Sequence, residues 1–273
     1  MPTRVEYDRV APDYDRRFRY GGLPGVAAAL RRATGATNGR LALEVGCGTG
    51  HWLPAFGTRA VLGADRSLGM LARAAVKRSA SAAGLANAPP ASLVAADAHA
   101  LPFDGPAFDL VACVNALHHF GDPRRFVERA ASLLRGGGAL VIVGMDPSAG
   151  RDRWYLYDYF PESLPADLER YPPHAAIRRW MREAGLERVT TRVAQRIQNL
   201  SYGAEVLDDP ILHRHGTSQL TMLDDAAFHR GMRRIQEAVN DVARRTAFVT
   251  DLVLPVTRGF VPRPRRPRRQ NND

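Results

Sequence analysis

Lysine is almost missing from this chain. Of its 38 basic residues only Lys77 is lysine and the other 37 are arginine; with 28 acidic residues the formal net charge is +10. So complete a skew reflects codon usage as readily as a selected surface, so the charge alone assigns no nucleic-acid partner. Cysteine is nearly as scarce. Cys47 and Cys113 are too few for a disulfide framework or a cysteine-ligated metal, and the scattered histidines lack metal-ligand spacing, so no metal is expected. Long apolar runs are absent too: none approaches the ~20 residues that cross a bilayer. The N-terminal MPTRVEYDRVAPDYDRRF has no apolar core behind its charges, so no secretory signal is expected. A reducing cytoplasmic location without membrane insertion follows as the expectation.

What is present is ordinary globular material. The 273 residues are 45% hydrophobic and 24% charged, which excludes a disordered or collagen-like chain and permits one large domain or two small ones. Arg258, Arg263, Arg265, Arg266, Arg268 and Arg269 lie among Pro262, Pro264 and Pro267, opposed only by Asp273. Such a segment cannot bury apolar surface, and 258–273 is expected to be a disordered, solubilising tail.

Between residues 41 and 145 short apolar runs alternate with helical patterns. Leu41–Val45, Ala60–Ala64, Leu93–Ala96, Leu110–Val114 and Ala139–Met145 read as strands buried on both faces of a parallel sheet. Leu68, Leu71, Ala72, Ala75 and Val76 fall at helical spacing behind Ser67 as N-cap. Asp122-Pro123 opens another helix over Phe126, Val127, Ala130, Ala131 and Leu134, with Gly136-Gly137-Gly138 expected to end it. Repeated strand–helix–strand units predict an open α/β sheet with right-handed crossovers. Later, Ile177, Trp180, Met181 and Ala184 form a helical stripe stopped by Gly185, and Leu186–Arg196 reads as a strand. Residues 224–245 read as a helix with Phe228, Met232, Ile235, Val239 and Val242 on its buried side, and Phe248–Val256 as a last strand.

The densest signal is Glu44-Val45-Gly46-Cys47-Gly48-Thr49-Gly50, directly after the first strand. Alternating glycines let the main chain turn tightly and approach a ligand without Cβ interference. Asp65 closes the second strand, where it can accept from both hydroxyls of a ribose, and Asp97 closes the third, where it can meet an adenine amine. A dinucleotide site wants G-x-G-x-x-G for a pyrophosphate. Here the third glycine of that pattern is absent, and Glu44 would repel a pyrophosphate but suit an ammonium. These residues favour a ligand with an adenosine, an amino group and no phosphate.

On these motifs the chain resembles the class I S-adenosylmethionine-dependent methyltransferases, and within them the subgroup containing the ubiquinone and menaquinone methyltransferases. The resemblance rests on the glycine loop, on Gly63-Ala64-Asp65-Arg66-Ser67, on Met70–Ala74, and on Asp97-Ala98-His99-Ala100-Leu101-Pro102-Phe103. Phe108-Asp109, Asn115–Phe120, Leu134–Gly138 and the N-terminal Tyr7-Asp8 and Tyr14-Asp15 are similar as well. It implies an open, doubly wound, mostly parallel seven-stranded sheet with a helical lid or insertion in the C-terminal half. The expected division is a single methyltransferase domain over 1–257: cap helices 1–40, a cofactor-binding core 41–146, and a lid and insertion 147–247.

The implied cofactor is S-adenosylmethionine, with S-adenosylhomocysteine as product. By the resemblance Gly46, Cys47, Gly48 and Gly50 would line its methionine and ribose, with Glu44 near the amino group. Asp65 would hold the ribose, Arg66 and Met70 would flank the adenine, and Asp97 and Ala98 would read its edge. Asn115 and Ala116 would sit near the methionine moiety, and Tyr14 would cover the ligand. His118 and His119, where the fourth strand meets the pocket, are the candidate catalytic bases. Tyr155, Tyr157, Tyr159 and Phe160, in the aromatic segment after the fifth strand, are the candidate substrate-stacking residues.

The function expected is in-line methyl transfer to the oxygen, nitrogen or carbon of a small-molecule acceptor. Two other readings compete: a nucleic-acid methyltransferase, opposed by the lack of a basic cluster with interleaved aromatics before the tail, and a cofactor-binding regulator without turnover. A nicotinamide oxidoreductase is opposed by the glycine spacing and by Glu44.

Overall fold

The computed structural model describes residues 5–18, 22–82, 91–241 and 245–263. In chain order its elements are α1 (Tyr7–Val10), a 3-10 turn Tyr14–Phe18, α2 (Pro24–Gly35), β1 (Leu41–Val45), β2 (Ala60–Asp65), α3 (Leu68–Ala82), β3 (Ala91–Ala95), β4 (Phe108–Val114), α4 (Pro123–Ser132) and β5 (Leu134–Val143). The second half adds β6 (Arg153–Trp154), α5 (Tyr155–Tyr159), α6 (Ser163–Arg170), α7 (His174–Glu183), β7 (Glu187–Tyr202), α8 (Ser218–Thr221), α9 (Asp225–Asn240) and β8 (Ala247–Phe260).

These strands make one sheet in the order β3-β2-β1-β4-β5-β8, with β6 and β7 both on β8. The first five are parallel; β8 runs antiparallel to β5, from Val143↔Val256 to Ala139↔Phe260. Eight strands replace the expected seven. The addition is the two-residue β6, where the aromatic segment meets β8 through Trp154↔Thr250.

The sheet works because its strands are apolar on both faces. On β4, Leu110, Ala112 and Val114 point to one core, with Val26 and Leu30 of α2, whereas Val111 and Cys113 point to the other, with Phe126 of α4 and Ile177 of α7. Fully buried side chains such as Phe126 and Leu30 each contribute about 1.5–3 kcal/mol of burial. Asp122 caps α4 as expected, accepting from the Arg125 N–H at 2.9 Å, and the Ser67 hydroxyl oxygen accepts from the Met70 N–H of α3 at 3.1 Å.

Some sequence boundaries move. Gly136–Gly138 do not end α4; they belong to β5, where the β4–β5 register shifts between Phe108 and Leu110. β7 and β8 both outrun their apolar cores. Beyond Val256 toward its N-terminus, β8 leaves β5 and continues with β7 as a ribbon past the carboxyl ends of the parallel strands, flanked by β6 at Thr250 and Asp251, down to Tyr202↔Ala247. That pairing gives the polar residues of 197–202 main-chain partners that hydropathy does not reveal. α9 buries Ile235 and half-buries Phe228, Met232 and Val239 as expected, while Val242 lies outside the described residues. Arg258 lies inside β8, so the expected tail boundary at 258 is too early; 264–273 lie outside the described residues.

One buried polar chain locks α7 to the sheet. The His174 imidazole meets the Gly144 carbonyl through Nε2 (3.3 Å) and the Thr257 hydroxyl through Nδ1 (2.7 Å). The carbonyl only accepts, so Nε2 carries the proton and Nδ1 accepts from Thr257. Thr257 in turn accepts from Thr191, which accepts from Arg178. Burial lowers the His174 pKa to about 4. Since this lies below the unfolded value near 6.5, the unfolded chain takes the proton first. The stabilisation is therefore complete above about pH 6.5 and lost as pH falls toward 4, by about 3 kcal/mol. Urea unfolding across that window is expected to show a shallower pH slope in His174→Gln than in the parent; equal slopes would refute the assignment.

Candidate active site

The carboxyl ends of β1, β2, β3 and β4 converge on a cleft with about 740 Å³ of empty space, mouth included. Its floor is the glycine loop. Gly46 and Gly48 have φ of 73° and 52°, a region costly for other residues. Gly46 has a second constraint, because a Cβ there would lie 2.4 Å from the Ala116 Cβ. The loop is pinned to β2: Gly46 and Cys47 donate to the Ala64 carbonyl, and Gly48 donates to Asp65 Oδ2 at 2.8 Å. Asp65 Oδ1 accepts from the Ser67 N–H at 2.9 Å, so its carboxylate is held in place at the cleft wall. Burial raises the Asp65 carboxyl pKa, against the lowering effect of these bonds.

Asp97 and His99 form the far wall, with His99 Nδ1 3.0 Å from Asp97 Oδ1. Asn115 takes φ of 51°, and its N–H donates to the Val143 carbonyl at 2.8 Å. A non-glycine residue held in the left-handed region on a cleft wall is strain of the kind stored at functional sites. Arg66, Met70, Ala98 and Ala116 complete the expected residues of this wall.

The roof comes from the N-terminal segment. Asp8 Oδ1 accepts from the Ser67 hydroxyl and from the Gly69 N–H, both at 2.7 Å, and these bonds hold its carboxyl below the usual range. The sole lysine ties down the next turn: Lys77 Nζ lies 2.7 Å from Asp15 Oδ2 and 2.9 Å from Thr49 Oγ1 of the glycine loop. Tyr7 and Tyr14 are thereby held over the cleft.

Beneath the loop lies Glu44, fully buried, with neither carboxylate oxygen hydrogen-bonded. Burial, and secondarily the charge of Asp65, push its pKa well up. A buried carboxylate without a partner is costly, and an ammonium group is the kind of partner it lacks. The glycine cradle, a ribose-height carboxylate and this orphan acid fit S-adenosylmethionine.

Comparison with known proteins agrees. Residues 43–142 match the Methyltransferase domain family. The chain is 30% identical over 229 residues to a demethylmenaquinone methyltransferase of Thermobifida fusca, covering 74% of this chain and 90% of that one. The chain belongs to the class I S-adenosylmethionine-dependent methyltransferases. The methyltransferase is also 38% identical over 144 residues to a phosphatidylethanolamine N-methyltransferase of Cereibacter sphaeroides, covering 51% of this chain and 69% of that one. Its fold matches the YcgJ protein of Bacillus subtilis with a TM-score of 0.59 at 18% identity, over 88% of this chain and 99% of that one.

The methyltransferase has a second, larger cleft of about 2210 Å³, open to solvent, between the N-terminal segment, the β7–β8 ribbon and the segment 205–219. Tyr7, Tyr14, Gly46, Asn115 and His119 line both clefts. Tyr7 Oη lies 2.5 Å from His119 Nε2, and burial raises the phenol pKa. His118 stacks on Tyr171 with ring centres 3.9 Å apart. Burial, then His119, Arg170 and Arg17, lower the His118 pKa well below its usual value, so the ring is neutral near pH 7.

The sequence expectations for the aromatic segment are corrected here. Tyr155, Tyr157, Tyr159 and Phe160 line neither cleft. The Tyr155 hydroxyl donates to Asp209 and the Tyr157 hydroxyl to Asp167, Tyr159 packs on Phe248, and Phe160 fits against Gly231. They fasten α5 to the sheet and to the neighbouring helices because β6 and α5 turn them inward. Trp154 and Tyr171 line the larger cleft instead. Among the loop residues Cys47 faces the larger cleft, while Glu44 and Gly50 line neither. Residues missed by the sequence include Tyr7, Arg17 and His99. Tyr7 and His99 sat inside quoted motifs, whereas nothing local marks Arg17.

Proposed function

We propose that this chain transfers a methyl group to a small-molecule acceptor held in the larger cleft, with residues 147–247 serving as the lid and acceptor wall of a single catalytic domain. The observation that carries this reading is the wall shared by the two clefts, where Tyr7, Tyr14, Gly46, Asn115 and His119 meet. When bound, S-adenosylmethionine would supply an electrophilic methyl group. Gly46, Gly48 and Asp65 would hold its methionine and ribose, Asp97 and Ala98 would read the adenine, and Glu44 would balance the amino group.

The chain's own contribution is chiefly alignment and exclusion of water. Tyr7 and Tyr14 line the shared wall, and His118, on the larger cleft, would accept a proton from an acceptor that must lose one. General-base help of this kind contributes about 10²–10⁴-fold. His118→Ala is therefore expected to lower kcat about a hundredfold with a protic acceptor while S-adenosylhomocysteine still binds. Product formation over a panel of phenols, amines and carbon acids reads this directly; unchanged kcat in His118→Ala and in His119→Ala would remove both histidines as bases. RNA as the acceptor is tested by ending the chain at Arg263. An RNA enzyme would lose affinity and salt dependence with the arginine tail, whereas a small-molecule enzyme keeps its turnover.

A further inference from the structure

Three parts of the molecule meet at one ammonium group. Lys77 of α3 has its Nζ 2.7 Å from Asp15 Oδ2 in the N-terminal turn and 2.9 Å from Thr49 Oγ1 in the glycine loop. The Thr49 hydroxyl accepts from Lys77 and donates to Asp15 Oδ1 at 2.6 Å, so each of the three groups holds the other two. Their places in the chain give this ring its reach. Asp15 follows Tyr14, and Thr49 lies between Gly48 and Gly50. Tyr14 and Gly48 line the smaller cleft as part of its roof and part of its floor, and a Cβ on Gly48 would lie 3.9 Å from the Tyr14 ring. A second contact runs alongside: the Phe18 ring lies flat on the ring of His51, centres 3.7 Å apart.

The choice of lysine matters. A chain with 37 arginines keeps its one lysine at this position. An ammonium is a point donor that serves a carboxylate and a hydroxyl from two directions at once. A guanidinium offers a planar fork that suits both oxygens of a single carboxylate and would displace the hydroxyl. Overall stability gains little from the contact: Lys77 and Asp15 are 37% and 38% exposed, and an ion pair so open to water contributes little to folding. Thr49, by contrast, is 1% exposed, so the loop end of the ring is shielded. What the ring governs is how firmly the roof of the cleft is held to its floor.

We propose that Lys77 is a positioning residue for cofactor binding, a clamp that couples closure of the N-terminal roof to the setting of the glycine loop. Neither Lys77 nor Asp15 lines either cleft, so both act through Tyr14 and the loop and not by touching the ligand. Apparent affinity falls with the fraction of molecules in the binding-competent state. Loosening the clamp therefore weakens the cofactor without removing any contact to it. The clamp deepens the methyl-transfer reading and rests on its cofactor site.

The test uses the full chain and two readouts. In calorimetric titration with S-adenosylhomocysteine, Lys77→Met should bind about threefold to tenfold more weakly than the parent, the net worth of one hydrogen bond. Its melting temperature should fall by no more than about 3 °C. Lys77→Arg keeps the charge but not the point geometry, and should be weakened like Lys77→Met. The second readout uses the parent alone. Its sole lysine is acetylated with N-hydroxysuccinimidyl acetate and followed by mass spectrometry. Saturating S-adenosylhomocysteine should slow that acetylation at least threefold (roughly, by mass action toward the closed state), although Lys77 lies outside the cleft that takes the ligand. Parent-like affinity in Lys77→Met or in Lys77→Arg, or an acetylation rate indifferent to the ligand, would overturn the clamp. Failure of the parent to bind S-adenosylhomocysteine would instead refute the methyl-transfer reading, so the two failures are distinct.

Discussion

Asp65→Ala is expected to bind S-adenosylhomocysteine at least a hundredfold more weakly than the parent chain. Hydrogen bonds to a charged acceptor contribute about 1.5–3 kcal/mol each, and two ribose hydroxyls are proposed to share this carboxylate. Its removal has a second consequence. The Gly48 and Ser67 N–H groups lose the acceptor that holds the loop against β2, which is expected to cost a further 1–2 kcal/mol of stability, by about one net bond each. Asp65→Asn is the intermediate case. It keeps one oxygen acceptor, for either the Gly48 or the Ser67 N–H, and turns an amide NH2 toward the other, so stability and affinity should both recover only in part. Calorimetric titration and a melting curve of each variant read both quantities. Parent-like affinity in folded Asp65→Ala would exclude the ribose assignment.

Glu44→Gln is expected to move stability and affinity in opposite directions. The buried carboxyl has its pKa raised above the unfolded value. A raised folded pKa gives stability that is present below about pH 4.5 and lost as pH rises through the folded pKa. Glutamine removes that loss, so the unliganded variant should be more stable than the parent at alkaline pH. It also removes the anion proposed to balance the ligand's ammonium, and affinity for S-adenosylhomocysteine should fall about tenfold to a hundredfold. In the parent, ammonium binding favours ionised Glu44, so ligand binding should release protons on the alkaline-shifted titration of this group. Titrations in buffers of different ionisation enthalpy measure that release. A variant that loses stability at every pH and binds normally would show Glu44 to be structural only.

The smaller cleft of this protein is legible in its sequence because it is built from contiguous loops at successive strand ends. Gly46, Gly48, Asp65, Arg66, Met70, Asp97, Ala98, Asn115 and Ala116 each follow a strand, and a parallel sheet necessarily brings those ends together. The larger cleft is assembled differently. Tyr7, Arg17, Trp154, Tyr171 and the ribbon residues 195–199 come from five separate segments that meet only after β7 and β8 pair. No local spacing encodes that meeting. Composition marked 154–160 as aromatic, yet which rings face the cleft depends on the turn from β6 into α5, and it selected Trp154 while burying Tyr155 and Phe160. Continuous apolar runs located the parallel strands, whereas the polar ribbon of β7 carried no such mark and was read six residues short.

The most direct measurement is a calorimetric titration of the full chain with S-adenosylhomocysteine, with NAD⁺ titrated separately as a control. The expected result is saturable one-to-one binding of S-adenosylhomocysteine that Asp65→Ala weakens, and no heat from NAD⁺, whose pyrophosphate meets a loop without the third dinucleotide glycine and with Glu44 beneath it. Saturable binding of NAD⁺ in its place, or no binding of S-adenosylhomocysteine to the folded chain, would contradict the account.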